Sequence, residues 1–119
     1  MIRIEDRFKF RVWCKTLQKF QYFQFNTKDG CSLPHSNWFN EKEPIQQCTG
    51  LKDKNGKLIY EGDIVKIDGY GVTGIYEIMW CDVTTKFVTS IYEEDYFEHS
   101  QSVMEVIGNN YENKNLLKI

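Results

Sequence analysis

Four cysteines and two histidines are the side chains here with the widest chemical reach, and their spacing withholds most of it. Cys14, Cys31, Cys48 and Cys81 are separated by 17, 17 and 33 residues. A structural zinc site draws on closely spaced cysteine pairs. No such pair exists, and neither histidine adjoins one, so no metal is expected. Nucleophilic catalysis needs a nucleophile, a base and an orienting group that converge. Cys48, His35 and His99 carry no signature that brings them together. His35 follows Pro34 and His99 follows Glu98, both in polar stretches, so both read as surface residues. Glu93, Glu94, Asp95 and Glu98 offer carboxylates for acid–base work. A run of like charge reads first as a solvated face. No catalytic residue and no cofactor are expected, and the chain reads as a non-enzyme.

Two motifs match known sites by letter and fail by context. Gly69-Tyr70-Gly71-Val72-Thr73-Gly74 fits G-x-G-x-x-G. A dinucleotide site needs a helix to follow, because the helix N-terminus binds the pyrophosphate. Ile75-Tyr76-Glu77-Ile78-Met79-Trp80 follows instead and alternates like a strand, so the glycines read as a hairpin. Asp53-Lys54-Asn55-Gly56 starts like a calcium loop. Its glycine stands at the fourth position and not the sixth, and a tight turn explains it better.

One feature points toward a partner. In Arg7-Phe8-Lys9-Phe10-Arg11-Val12-Trp13, period-2 alternation places Arg7, Lys9, Arg11 and Trp13 on one strand face. Cations beside an indole suit phosphates and a stacked base. The competing reading is a half-exposed strand whose charges keep a sheet edge soluble.

The elements that would carry these residues are mostly strands. Arg7 to Val12 is the first, Lys15 to Gln18 a hairpin connection, and Lys19 to Phe25 the return. Phe20 and Tyr22 alternate one way and Phe23 and Phe25 the other, which implies a bulge or a strand buried on both faces. Residues 26–44 are polar, with Asp29-Gly30, Pro34 and Pro44, and read as a long loop with one helical turn near Trp38-Phe39. Ile45 to Lys52 resumes as strand and pairs with Leu58 to Tyr60 across the Asp53–Gly56 turn. Asp63 to Ile67, Ile75 to Trp80, Lys86 to Tyr92 and Val103 to Ile107 follow as short strands of a small barrel. The tail from Glu112 forms one helical turn that lays Leu116 and Leu117 on the core. The expected fold is mainly β, or a β-rich α+β fold at most. Its N-terminal β region covers 1–60 and its small barrel covers 61–119, tightly joined.

Composition sets the remaining bounds. The 119 residues bury a core without staples, and aromatics at 15% favour sheets. Net charge is −2. Residues 1–60 carry eleven Lys and Arg against six Asp and Glu, and residues 61–119 carry four against eleven. The two halves therefore differ in sign, which suits attraction within one fold, between copies, or between a basic patch and an acidic partner. Charges interrupt every apolar stretch near the N-terminus. No signal-peptide core or membrane span is expected, the thiols should stay reduced, and the location should be cytoplasmic.

Three segments together resemble the YopX-like family of phage and prophage proteins. They are Phe10-Arg11-Val12-Trp13, the long stretch from Thr49 to Val65 (TGLKDKNGKLIYEGDIV), and Glu105-Val106-Ile107-Gly108-Asn109 with Tyr111-Glu112-Asn113 and Leu116-Leu117. Tyr76 to Trp80 also fits the family pattern, whereas residues 26–44 match nothing in it. The resemblance implies a phage or prophage origin in a bacterial host, and a second half similar to an SH3-like barrel. It brings no catalytic residue with it. The expected function is a non-catalytic accessory protein that binds another protein or a second copy of itself. The loops 26–44 and 93–101 are its candidate surfaces. The alternative is a nucleic-acid-binding module built on Arg7, Lys9, Arg11 and Trp13. The third and weakest reading is an enzyme assembled from Cys48, His35 or His99.

Overall fold

The computed structural model describes residues 8–26, 30–32, 44–69, 72–82, 85–89 and 103–117. Among them the strands are β1 (Lys9–Cys14), β2 (Lys19–Asn26), β3 (Gly30–Ser32), β4 (Gln46–Lys52), β5 (Leu58–Tyr60), β6 (Asp63–Gly69), β7 (Val72–Cys81), β8 (Lys86–Thr89) and β9 (Met104–Asn109). A 3₁₀ turn, Lys114–Leu117, follows β9. One sheet has the order β3-β2-β1-β4-β5 and a second the order β8-β7-β6-β9. The pairings of β1 with β2 and β4, of β2 with β3, and of β7 with β6 and β8 are antiparallel, as is β6 with β9. The fold is mainly β, as the alternation predicts.

The chain forms two compact units, residues 1–50 and 51–119. The division follows Gly50, whereas the sequence reading draws it after Tyr60. Packing explains the earlier position. Leu51 and Ile59 join Val65, Ile67, Tyr76, Ile78 and Met104 in one buried cluster, which keeps the β4–β5 hairpin's apolar side chains with the second unit.

In the first unit β1 and β2 pair without interruption from Lys9 opposite Gln24 to Cys14 opposite Lys19. There is no bulge at Tyr22 and Phe23. The parity change means instead that β2 carries aromatic rings on both faces. Phe23 stacks on Phe10 across the strands, with centroids 5.5 Å apart, while Phe20 packs edge-on against Trp13 on the opposite face at 4.9 Å. Such cross-strand aromatic pairs stabilise a hairpin beyond their area alone. The connection is the predicted Lys15–Gln18 turn. Gln18 sits at φ 53°, and its side-chain amide donates to the Lys15 carbonyl at 2.7 Å, which offsets part of that strain.

In the second unit Val65 and Ile67 on β6 face the core with Tyr76 and Ile78 on β7. Each such burial contributes roughly 1.5–3 kcal/mol. β6 and β7 pair out to Gly69 opposite Val72, so strand and not helix follows the glycine motif. That removes the helix N-terminus on which a pyrophosphate site depends. A register shift between Ile64 and Val65 bends β6 against β9. Leu116 and Leu117 are half-buried in the 3₁₀ turn, where the sequence places one helical turn.

Candidate functional site

The buried aspartates of the 49–65 stretch, Asp53 and Asp63, are the first candidates for chemistry, and backbone amides occupy both. Asp53 is buried, at 6% exposure. Its Oδ1 accepts the amides of Asn55 and Lys57, each at 2.9 Å. Its Oδ2 accepts the amide of Val106 on β9, also at 2.9 Å. The Lys54 amide adds a bond to the Met104 carbonyl at 3.0 Å. The Asp53 carboxylate therefore closes its own turn and joins that turn to the edge of β9. The turn is a three-residue connection. Gly56 donates to the Asp53 carbonyl at 3.0 Å, Asp53 donates to the Lys57 carbonyl at 2.8 Å, and Gly56 supplies the positive φ of 84°.

Asp63 and the asparagines at the end of β9 and just beyond it do similar work. Asp63 is 2% exposed, and its Oδ2 accepts the Tyr60 amide at 2.8 Å across the Glu61-Gly62 turn. Asn109 Oδ1 accepts the amides of Tyr111 and Glu112 at 3.0 and 2.9 Å, and Asn113 Oδ1 accepts the Asn109 amide at 3.2 Å. These are side chains mimicking a backbone turn. Burial pushes the Glu77 carboxyl on β7 up from its ordinary range, and Lys114 and the Asn110 amide partly oppose the shift. It lies beside the 3₁₀ turn, with Asn110 Nδ2 donating to Oε2 at 3.5 Å.

The basic strand differs from its sequence reading. Arg7 lies outside the described residues. Lys9 is half-buried. Arg11 and Trp13 share a face as expected, yet both are 4% exposed. Arg11 Nε donates to Gln46 Oε1 at 2.7 Å, and its guanidinium stands 4.0 Å from the Phe20 ring centroid. A buried guanidinium held by a side-chain amide and an aromatic face is a packing element. Alternation placed these residues on one face correctly. It could not show that this face is covered at Arg11 and Trp13.

The remaining expectations divide by where they fall. His35, His99, Glu93, Glu94, Asp95 and Glu98 lie outside the described residues, as do residues 27–29 and 33–43 of the 26–44 loop and all of 93–101. Cys14 and Cys48 are buried thiols and Cys81 is a half-buried one. The Gly50 amide donates to Cys48 Sγ at 3.4 Å. Among the described residues no three His, Cys, Asp or Glu side chains gather as metal ligands, and no helix is long and apolar enough to cross a membrane. Large apolar side chains do reach solvent. Tyr22 on β2 is 54% exposed, and Met79 and Trp80 on β7 are 44% and 41% exposed.

The turn-building segments lie within the part of the chain that a family model matches. The model of the YopX protein family matches residues 9–118. The chain belongs to the YopX family. A crystal structure of protein EF1440 from Enterococcus faecalis is similar to it, with a TM-score of 0.63 at 25% identity, over 92% of this chain and 97% of that one. No curated protein matches. In this YopX-family chain the residues from Thr49 to Val65 supply core side chains, a hairpin and two buried carboxylates that hold amides. The exposed Trp80 escaped the sequence reading because it keeps the parity of Tyr76 and Ile78. Their side of β7 is buried up to Ile78, but Trp80 stands near the strand's end, packed edge-on against Phe87 at 5.0 Å. The signal available was its place in the last positions before Asp82.

Proposed function

We propose that this YopX-family protein is a non-catalytic accessory protein of phage or prophage origin that works in the bacterial cytoplasm by binding another protein. The observation that carries the reading is a division of labour among side chains. The buried carboxylates of Asp53 and Asp63 are engaged in holding turns and a strand edge, while Tyr22, Met79 and Trp80 are exposed. Tyrosine, tryptophan and methionine are enriched at protein interfaces, where the rings add contact area at little entropic cost and the flexible thioether adapts to its partner. The second unit, read as an SH3-like barrel, gives Met79 and Trp80 a rigid frame, and the β1–β2 hairpin of the first unit carries Tyr22. Affinity capture with the tagged protein from lysogenic cells tests the reading. A specific partner at stoichiometric yield supports it, and recovery of the bait without any partner or second copy removes it.

The nucleic-acid alternative rests on four residues, of which Arg11 and Trp13 are buried. At that exposure neither side chain reaches a phosphate or a base without the strand opening. The protein-binding reading is therefore the better supported.

A further inference from the structure

We infer that Asn55-Gly56 is a latent site of spontaneous deamidation, and that the Asp53 turn restrains it in the folded protein. Both residues are exposed, and beyond its own chain neighbours no heavy atom lies within 4 Å of the position a Gly56 Cβ would occupy. An asparagine followed by glycine presents its side-chain amide to the least hindered backbone nitrogen a chain can offer. The reaction needs only water. The Gly56 nitrogen gives up its proton to solvent and attacks Asn55 Cγ. An N–Cγ bond forms, the Cγ–Nδ2 bond breaks, and ammonia leaves with a proton from solvent. Water then opens the cyclic imide at either carbonyl, giving aspartate or isoaspartate.

The fold works against the first step. The Gly56 N–H is donated to the Asp53 carbonyl at 3.0 Å, so the nitrogen that must lose its proton is holding it in a hydrogen bond. The Asn55 N–H is donated to Asp53 Oδ1 at 2.9 Å, which fixes the backbone on the other side of the reacting amide. Attack requires the turn to rotate out of this arrangement and break at least one of these bonds. The product feeds back on the same residues. Isoaspartate lengthens the main chain by one carbon inside a three-residue turn and puts a new carboxylate beside Asp53. The amides of Lys57 and Val106 then no longer meet the Asp53 carboxylate in their present register. Deamidation at this single turn therefore loosens the join between the β4–β5 hairpin and β9.

The test compares the full-length protein, folded in buffer and unfolded in urea, both held at mildly alkaline pH. Peptide mapping by mass spectrometry follows conversion at Asn55, and isoaspartyl methyltransferase labelling counts the isoaspartate. Asn109 and Asn110, followed by bulkier residues, are internal controls. The unfolded chain should convert Asn55 at least about fivefold faster, the factor that one ordinary hydrogen bond of about 1 kcal/mol sets. Asp53→Ala in native buffer should convert at a rate between the two, and hydrogen exchange over β6–β7 reports whether it is still folded. Equal rates in folded and unfolded protein, or no preference for Asn55 over Asn109 and Asn110 in urea, would overturn the inference.

Discussion

Replacing Asp53 by asparagine keeps the size of the side chain and removes one acceptor. In the native protein both carboxylate oxygens face donors: Asn55 and Lys57 amides at Oδ1, the Val106 amide at Oδ2. Asparagine has one oxygen and one NH₂. If the oxygen serves the turn, the NH₂ meets the Val106 N–H donor to donor. If it flips, the two turn amides are left instead. A buried amide without an acceptor costs about 1–3 kcal/mol, and bonds to an ionised acceptor are worth about 1.5–3 kcal/mol against about 1 for a neutral one. About 2 kcal/mol for Val106 and about 1 for the weakened turn bonds give roughly 3 kcal/mol for Asp53→Asn. Asp53→Ala, which strands all three amides, should cost about 4–5 kcal/mol. Against a stability of about 5–15 kcal/mol these are large losses. With a urea slope of about 2 kcal/mol/M, Asp53→Asn should lower the midpoint by about 1.5 M. Urea unfolding followed by tryptophan fluorescence reads the shift, and hydrogen exchange at the Val106 amide locates it. An Asp53→Asn midpoint equal to the wild type's, or a Val106 amide that exchanges no faster, would refute the reasoning.

Other substitutions separate other parts of the account. Glu77 is raised by burial, so its folded form prefers the proton, and its contribution is fully present below the unfolded value and lost as pH rises through the folded one. Glu77→Gln keeps an acceptor for Asn110 and cannot ionise. It should melt higher than the wild type at neutral pH and alike below pH ~4, as thermal scans across pH would show. Arg11→Ala removes the Gln46 bond and the contact with Phe20, and should cost roughly 2–3 kcal/mol in urea unfolding. The same variant should leave a gel shift with single-stranded DNA unchanged; a steep salt-dependent binding lost on substitution would restore the nucleic-acid reading. Gly56→Ala meets open space but a φ of 84°, so its cost is backbone strain alone, about 1–2 kcal/mol by the same urea titration.

Much of this architecture was legible because alternation and turn chemistry are local. The strands around Val12, Val65, Tyr76 and Val106 and the turns at Lys15–Gln18 and Asp53–Gly56 follow from residues within a few positions of each other. Burial of the second face of β1 was not legible. Alternation sorts Arg11 and Trp13 to one side of a strand and carries no information about what lies over that side. Asp53 shows the same limit from the polar side. As a turn residue its role was evident, but its bond to Val106 links positions far apart in sequence and depends on β9 arriving beside the hairpin. The division after Gly50 likewise rests on where the Leu51 and Ile59 side chains pack, which no composition change marks.

Affinity capture with surface variants tests the central claim most directly. Tyr22→Ala and Trp80→Ala baits, made singly and together, would be compared with the wild type in lysates of lysogenic cells, with unfolding curves confirming that each bait is folded. The account predicts that at least one variant loses the partner while remaining folded, with a stability loss of no more than about 0.5–1.5 kcal/mol for the lost ring contact with Phe20 or Phe87. Full partner recovery by the folded double variant would contradict it.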